Sequence, residues 1–510
     1  MSKQHVIIIG AGIGGIATAA LLGKAGYRVS VYEKNARPGG RADTFSKKGF
    51  TFDMGPSWYL MPDVFKHFYE LVDENVAKQL TLKKLDPAYK VFFEGEVAPI
   101  TITSNKKKDS KTFETIETGA GTALNRYVSR GEKIYNLSLK HFLYSNFTSL
   151  RDFLKKDILV NVGTMGVLAF MPIDRYVSRF VRDIRLKQIL EYPMVFLGTS
   201  PFNAPAMYSL MSALDFHEGV FYPQGGMYTI IESLVAVSKK YDVTYHFNTP
   251  VEKIISSRGK ATGIRLVSKQ TIDADIVISN ADLHFTESTL LAPTDRSYPE
   301  SYWHKKQAGP SALLMYLGIK GRLPNLEHHN LLFADAWKQN FAAIYKDKTF
   351  PIPASLYICN PSGIDRSVAP RGYENLFVLV PLPAGKKMSA RQQSELSEGY
   401  LDQIAIMINV PDLKKRIVLK EFFGPNDFMT KFHSWQATAL GPSHILRQSA
   451  MFRTPNKSRK LQNLYYVGGS TTPGIGLPMC LIGAELIYKR LAGDKLGGRV
   501  TSIRSIGERQ

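Results

Sequence analysis

Closely spaced glycines directly follow the first apolar run of the chain. Residues 6–9 read Val-Ile-Ile-Ile, and residues 10–15 read Gly-Ala-Gly-Ile-Gly-Gly. This is the G-x-G-x-x-G spacing: Gly10 permits a tight turn, Gly12 lets backbone approach a pyrophosphate, and Gly15 lets a helix pack closely on a strand. The pattern predicts a dinucleotide site, with an empty glycine-rich turn as the alternative.

The elements around this turn complete a βαβ unit. Residues 6–9 are typical of a buried parallel strand, residues 16–24 of a helix, and residues 27–33 of a second strand that ends at Glu33. Glu33 follows Gly15 by 18 residues, close to the spacing at which a carboxylate accepts hydrogen bonds from the adenosine ribose. A pyrophosphate is expected at the positive end of the helix.

A second glycine pair favours FAD over NAD. Gly39-Gly40-Arg41 follows the ribose acid closely, and the guanidinium of Arg41 offers a planar fork for a phosphate. A surface salt bridge is the alternative role for Arg41. Residues 52–57, Phe-Asp-Met-Gly-Pro-Ser, then match the F-D-x-G-P segment of flavoproteins related to the amine oxidases and carotenoid desaturases.

The middle of the chain carries alternating and basic stretches. Residues 81–118 predict sheet strands joined by an exposed hairpin, with Lys106–Lys108 at a solvated loop tip. Residues 157–173 are largely apolar and have basic flanks, and a helix beyond them is expected to place Arg175, Arg179 and Arg182 on one face. This composition fits a membrane-interface segment. A buried helix pair with a solvated basic face fits equally well.

Composition excludes several classes of protein. The chain has 510 residues, 44% of them apolar, so it is neither disordered nor, with two cysteines, a disulfide scaffold. The net charge of +21 favours an anionic partner: nucleic acid, a membrane surface or an anionic ligand. No motif supports nucleic acid, no stretch is long enough for a transmembrane helix, and the glycines near the N-terminus argue against a signal peptide. The expected location is therefore the cytoplasmic face of a membrane.

The C-terminal region predicts a strand, a glycine-rich loop and a helix. The strand covers residues 464–467, the loop contains Gly468, Gly469, Gly474 and Gly476, and the helix runs from Leu477 to about Leu491. With the preceding stretch at residues 448–453, Gln-Ser-Ala-Met-Phe-Arg, the sequence closely resembles the bacterial-type phytoene desaturases, which are FAD-dependent. Thr472 stands where many members of that family have histidine.

The resemblance implies a flavin site and a reaction. Backbone N–H groups at Leu477 would face the flavin edge that gains negative charge on reduction. Cys480 is expected to be a packing residue and not a covalent flavin link. The expected FAD-binding residues are Gly10, Gly12, Gly14, Gly15, Glu33, Lys34, Gly40, Arg41, Pro56, Ser57, Val251, Gly469, Gly476, Leu477, Pro478 and Met479. No metal site is expected.

The implied activity is desaturation of a C40 carotene precursor, phytoene towards lycopene, by hydride transfer to flavin. The family's Arg-Asp pair is matched by Arg151-Asp152, which makes Asp152 the candidate for proton handling, with Lys155 as a possible neighbour and a helix cap or salt bridge as the alternative role. A single dinucleotide fingerprint points to quinone or oxygen as the electron acceptor. Alternatives are a related desaturase or isomerase acting on another polyene, such as diapophytoene or a hydroxycarotenoid, and a non-enzymatic prenyl-lipid binder of the same fold.

The expected fold class is α/β. A Rossmann-like FAD domain with a parallel sheet is discontinuous in sequence and comprises residues 1–85, 215–290 and 450–497. Within the second segment, residues 243–247, 251–255 and 274–282 are expected to be strands that return to the FAD domain. An inserted α+β domain for substrate binding and membrane association comprises residues 86–214 and 291–449, and residues 498–510 form a loose tail.

Overall fold

The secondary structure is that of a mixed α/β protein. The computed structural model describes residues 3–148, 163 and 165–505. The strands are β1 (His5–Ile9), β2 (Arg28–Tyr32), β3 (Thr44–Lys47), β4 (Phe50–Asp53), β5 (Leu82–Lys84), β6 (Tyr89–Phe93), β7 (Ile100–Ile102), β8 (Phe221–Pro223), β9 (Thr244–His246), β10 (Val251–Ser257), β11 (Lys260–Leu266), β12 (Thr271–Asp273), β13 (Ile276–Ser279), β14 (Ser311–Lys320), β15 (His329–Phe333), β16 (Leu356–Cys359), β17 (Tyr373–Leu382), β18 (Ile417–Phe423) and β19 (Leu464–Tyr466).

Helices connect these strands and cover the sheets. In chain order they are α1 (Ile13–Lys24), α2 (Pro62–Leu71), α3 (Val76–Gln79), α4 (Lys106–Ile116), α5 (Ala120–Ser138), α6 (Ile173–Val177), α7 (Ile184–Glu191), α8 (Ser209–His217), α9 (Tyr228–Lys239), α10 (Leu283–Phe285), α11 (Glu300–Trp303), α12 (Trp337–Ala342), α13 (Ala390–Met407), α14 (Pro425–Phe432) and α15 (Leu477–Leu491).

A five-stranded parallel sheet carries the glycine-rich turn. Its order is β19-β13-β1-β2-β9, and Ile8 of β1 lies opposite Val31 and Ile278 on the neighbouring strands. One face packs on α1, α9 and α15, and the three-stranded sheet β10-β11-β12 lies on the other. Both faces of β1 are therefore buried, which explains its uninterrupted apolar run.

The largest sheet among the described residues has seven strands, in the order β18-β14-β17-β16-β15-β6-β7. Its pairs are antiparallel except for β15 with β6. Along β14, Leu313, Met315 and Leu317 pack towards α13, whereas Leu314 and Tyr316 pack into the core shared with the first sheet. This alternation gives the sheet one face towards the interior of the molecule.

The basic stretch Lys106–Lys108 differs from its prediction. The hairpin β6–β7 is present, but the lysines form the first turn of α4 and do not lie at the hairpin tip. Asn105 caps this helix, because its side-chain oxygen accepts hydrogen bonds from the backbone N–H groups of Lys107 and Lys108, at 3.0 and 3.2 Å. An asparagine N-cap was the sequence signal for this helix.

The arginine helix also differs from its prediction. Arg175 lies in α6, which ends at Val177, whereas Arg179 and Arg182 lie in the turn before α7. The predicted spacing on one continuous helical face is therefore absent, although all three side chains are exposed. Residues 157–162 and 164, from the adjoining apolar segment, lie outside the described residues, as do Arg151, Asp152 and Lys155.

The structure also places one of the predicted return strands and the C-terminal tail. Residues 251–255, expected as a strand that returns to the FAD domain, belong to β10 of the three-stranded sheet that packs on the parallel sheet. The tail differs from the expectation of a loose segment. The described part of the tail, residues 498–505, is attached to the fold: Arg499 forms an ion pair with Asp63 at 2.6 Å, and the Val500 N–H group donates to Glu485 at 2.7 Å.

Candidate functional site

The glycine-rich turn joins β1 to α1 at the carboxyl edge of the parallel sheet. Gly10 has a φ of +96°, a conformation that side chains with a Cβ rarely adopt. A Cβ built on Gly15 would lie 2.3 Å from the Gly10 carbonyl oxygen, so the helix can approach the strand only with glycine there. The Gly39 N–H group donates to the Ala11 carbonyl at 2.8 Å, which brings the second glycine pair against the first.

Glu33 and Lys34 lie at the end of β2, beside this turn. The Glu33 carboxylate is buried and accepts hydrogen bonds from the Ala11 N–H group at 2.8 Å and from the backbone and side chain of Asn35 at 2.9 and 2.7 Å. Lys34 donates to the Thr430 carbonyl at 3.0 Å, and burial lowers the pKa of its amine. Glu33 is thus fixed at the position where a ribose acid is expected.

Arg41 has the environment of an anion-binding residue. Its Nη2 atom donates to Ser434 Oγ at 2.5 Å, whereas its Nε atom is buried and has no hydrogen-bond partner in the described part of the chain. Burial lowers the pKa of the guanidinium, and the nearby Asp282 carboxyl partly opposes this shift. A partly buried guanidinium with an unpaired, buried Nε atom fits a phosphate and differs from a surface salt bridge.

The last loop reaches the same region from the C-terminal side. Gly469 and residues 476–479 border the cavity, and α15 begins there, with Gly476 as its N-cap and no side chain capping it. The first turn of α15 therefore presents backbone N–H groups without a side-chain cap. Cys480 is partly buried, and burial raises the pKa of its thiol to about 12, as expected for a packing residue.

One cavity of about 580 Å³ connects these residues. The predicted cofactor residues that border it are Gly10, Gly12, Glu33, Lys34, Gly40, Arg41, Pro56, Ser57, Val251, Gly469, Gly476, Leu477, Pro478 and Met479. Gly14 and Gly15 lie behind this surface, where both pack against Asn280. A dinucleotide with two phosphates would suit this surface. It would accept a hydrogen bond from Arg41 Nε, and it could approach the glycine-rich turn and the N-terminus of α15, which has no side-chain cap.

Asn280 is a residue whose part in this site the sequence did not reveal. Its amide donates to the Gly10 carbonyl at 3.2 Å, and Cβ atoms built on Gly12 and Gly14 would lie 2.7 and 2.8 Å from its side chain. Asn280 therefore packs against the whole glycine-rich turn. Its position immediately after β13, at the carboxyl edge of a parallel sheet, was the available signal.

Asp53 joins the F-D-x-G-P segment to residues 222–227, which precede α9. Its carboxylate accepts hydrogen bonds from the N–H groups of Met227 and Tyr228 at 2.8 and 3.1 Å, at the start of α9. A Cβ on Gly226 would lie 3.0 Å from the same carboxylate. Burial raises the pKa of Asp53 to about 6. The F-D-x-G-P segment and the segment at residues 222–227 thus hold each other in place.

Beyond the final loop the cavity becomes apolar and aromatic. Trp58 stacks on His329, with ring centroids 4.0 Å apart, and the Tyr357 hydroxyl lies 2.6 Å from His329 Nδ1. Side chains that line this end include Phe142, Leu143, Phe147, Tyr192, Phe196, Met207, Met211, Phe333, Trp337, Phe341, Ile344 and Leu356. This wall suits a long apolar molecule, which it would bind by excluding water.

His444 is a second residue that sequence reasoning missed. It borders the cavity, its Nδ1 lies 2.9 Å from the Tyr208 hydroxyl, and its Nε2 lies 3.4 Å from the Ile475 nitrogen. Burial, together with Arg453, lowers its pKa well below the usual histidine value, so the ring is neutral. A histidine thus contacts the final loop even though Thr472 occupies the position that is often histidine.

Known proteins resemble this chain over nearly its whole length. The model of the flavin containing amine oxidoreductase family matches residues 13–485. A carotenoid 3,4-desaturase of Haloarcula japonica is 39% identical over 97% of this chain and 99% of its own. A zeta-carotene-forming phytoene desaturase of Myxococcus xanthus is 33% identical, covering 96% and 94%, and a phytoene desaturase of Fusarium fujikuroi is 32% identical, covering 96% and 90%.

Solved structures show the same fold at low identity. Putrescine oxidase with bound putrescine has a TM-score of 0.61 at 15% identity, covering 97% of this chain and 99% of the other. Rab GDI from Plasmodium falciparum has a TM-score of 0.55 at 12% identity, covering 97% and 100%. Within the described part of the chain, the helices are too short or too polar to cross a bilayer.

Proposed function

Because the chain belongs to the flavin-containing amine oxidoreductase family, and within it to the carotenoid desaturases, we propose that it removes hydrogen from a C40 carotenoid polyene. The reaction would take place where the nucleotide end of the cavity meets its apolar end. It is an FAD-dependent oxidoreductase that acts on carbon–carbon bonds. The observation that carries the proposal is that one cavity in the described part of the chain joins the dinucleotide motifs to an aromatic wall.

Bound FAD supplies the hydride acceptor for such a reaction. Around it, the chain binds and orients. Gly12, Glu33 and Arg41 would hold the nucleotide, and the first turn of α15 would face the flavin. The aromatic wall gives the substrate about 25 cal/mol for each Å² of apolar surface it buries, which replaces the polar contacts that a carotene cannot make.

The proton lost from the neighbouring carbon needs an acceptor, and we assign it to Asp152 on the strength of the family resemblance. Asp152→Asn removes the basic carboxylate at nearly constant size. We expect desaturation to fall at least tenfold while FAD binding stays at the wild-type level, measured by product formation and by flavin absorbance. Unchanged turnover in this variant would exclude Asp152.

Two candidate reactions differ in the carbon–carbon bond that is desaturated. Phytoene towards lycopene is the sequence-based proposal, and two phytoene desaturases above 30% identity support it. The 39% identity to a carotenoid 3,4-desaturase supports a second candidate, reaction near the end of a conjugated chain. FAD-loaded protein should be given phytoene or lycopene in liposomes and the products separated by chromatography. A conjugated product from phytoene supports the first, and a longer chromophore from lycopene alone supports the second.

Electrons then pass to quinone or oxygen, and we propose that the protein docks on a membrane to meet both substrate and quinone. Phe170 is 80% exposed and Val167 54% exposed, and the exposed side chains of Arg175 and Arg179 follow them within a few residues in sequence. Exposed apolar and basic side chains in one stretch of chain suit an anionic bilayer surface. Replacing Arg175, Arg179 and Arg182 by Gln should weaken binding to anionic liposomes in low salt, measured by flotation. Salt-independent binding would contradict this docking mode.

The electron acceptor is tested separately, by turnover without oxygen. Turnover with added quinone but not with NAD⁺ would support quinone as the acceptor.

A prenyl-lipid carrier without redox chemistry is the alternative function for this fold. The two proposals differ in one simple property, since the enzyme needs a flavin and the carrier does not. Purified protein should show flavin absorbance, or gain it when FAD is added. Absence of both, with retained polyene binding, would favour the carrier.

A further inference from the structure

A buried positive charge lies directly behind the final loop. The Arg453 side chain is 3% exposed, and its guanidinium donates to the carbonyl oxygens of Thr471 at 3.0 Å, Gln448 at 3.2 Å and also Gly469. All of these acceptors are neutral. Within residues 3–148, 163 and 165–505, the guanidinium has only backbone carbonyl groups as hydrogen-bond acceptors, and no carboxylate pairs with it.

Such a charge is costly to bury. Taking an unpaired cation out of water destabilises its charged form, and burial lowers the pKa of Arg453 to about 10. The group nevertheless stays protonated at neutral pH. His444, packed beside it, is neutral and offers no compensating charge. An anion on the other side of the loop would offset this cost.

The position of Arg453 relative to the cavity shows where that anion belongs. Gly469 and Thr472 border the cavity, whereas Arg453 does not. Its Nε atom lies 3.6 Å from a Cβ built on Gly474. One layer of backbone therefore separates the guanidinium from the cavity. The same loop leads into the N-terminus of α15, which carries partial positive charge.

We propose that Arg453 is a positioning residue that orients the loop and, with α15, raises the reduction potential of the flavin. The guanidinium holds the carbonyl groups of Gly469 and Thr471 on the side away from the cavity. The negative charge that the flavin gains with a hydride is then stabilised by the buried cation, because Coulomb interactions are strong where water is excluded. This inference rests on the proposed function, since it requires a flavin in the cavity.

Substitutions that separate charge from hydrogen bonding provide the test. Arg453→Gln removes the charge, and Arg453→Lys keeps it while losing the planar fork. Arg490→Gln is the matched control, because Arg490 is a partly buried arginine in the last turn of α15 that donates to Asn456. Each purified holoprotein is measured for its FAD dissociation constant and its flavin midpoint potential, with no carotenoid present.

We expect the potential to shift to more negative values in Arg453→Gln and to stay near wild type in Arg453→Lys and Arg490→Gln. Loss of FAD from Arg453→Gln alone would also support a role for the charge. Equal potentials in the Gln and Lys variants, or equal loss of FAD from both, would overturn it. A protein that binds FAD but converts no carotenoid would contradict the proposed function and leave this measurement valid.

Discussion

Gly15→Ala tests the packing of the dinucleotide turn. The new Cβ would lie 2.3 Å from the Gly10 carbonyl oxygen and 3.2 Å from Asn280 Cβ. Ordinary contacts begin near 3.4 Å, so the start of α1 must move by roughly 1 Å. The Gly10 carbonyl cannot simply turn away, because it accepts a hydrogen bond from Asn280 at 3.2 Å.

The expected loss follows from this crowding. Overpacking of this kind costs about 1–3 kcal/mol. Because 1.4 kcal/mol is a factor of ten, FAD affinity should fall by about 5- to 150-fold if the strain appears in the bound state. The affinity is measured by titrating apoprotein with FAD and following flavin fluorescence. If the strain is present without FAD, it lowers the free energy of unfolding of the apoprotein, which urea unfolding measures.

Two glycines provide controls. Gly23 is also crowded, with a built Cβ 2.9 Å from the Tyr241 carbonyl, but it lies at the opposite end of α1 from the cavity. Gly23→Ala should lower stability and leave FAD affinity unchanged. Gly399 is exposed in α13 with no atom near its Cβ position, so Gly399→Ala should stabilise the protein by about 1 kcal/mol. FAD affinity of Gly15→Ala within twofold of wild type would refute the reasoning.

Two carboxyl groups give further predictions. Glu33→Ala should weaken FAD binding by about tenfold or more, since it removes both the ribose acceptor and the group that fixes Ala11 and Asn35; equal FAD titrations for both proteins would exclude this role. Burial raises the pKa of Glu191 from 4.5 in the unfolded chain to about 8 in the folded protein. Between these two values the folded state holds a proton that the unfolded state has lost, so stability falls as the pH rises from 4.5 to about 8, by up to about 5 kcal/mol. Glu191→Gln should flatten the pH dependence of urea unfolding between pH 5 and 9, and an unchanged slope would show that Glu191 does not titrate there.

Local patterns in the sequence predicted the elements that depend on local interactions. The turn at Gly10–Gly15, the buried strand β1 and the helix starting at Leu477 lie where the residues indicate, because their conformations are set by neighbouring glycines and apolar runs. The prediction that Lys106–Lys108 lie at a loop tip was wrong, because the Asn105 side chain caps a helix that begins at these lysines.

Long-range pairings could not be predicted in this way. The seven-stranded sheet joins β6 to β15, more than 200 residues away, and nothing within either strand specifies its partner. The same holds for Asn280 against the glycine-rich turn, Asp53 against Met227 and His444 against the final loop. In each case a motif was visible, but the group that it serves is distant in sequence.

The division of the cavity limits where the chemistry can take place. Its charged side chains are Glu33, Lys34, Arg41, Asp282 and Lys431. They lie at the nucleotide end, where Asp282 is near Arg41 and Lys431 is near Lys34, whereas aromatic and aliphatic groups line the far end. A hydride donor and its acceptor must come within about 3–3.5 Å, so reaction requires the flavin and the polyene to meet. They can do so only where the two surfaces join, beside the loop that leads to Leu477. Arg453 lies directly behind that loop, and for this reason its charge is better placed to affect the reaction than the exposed basic groups that dominate the net charge of +21.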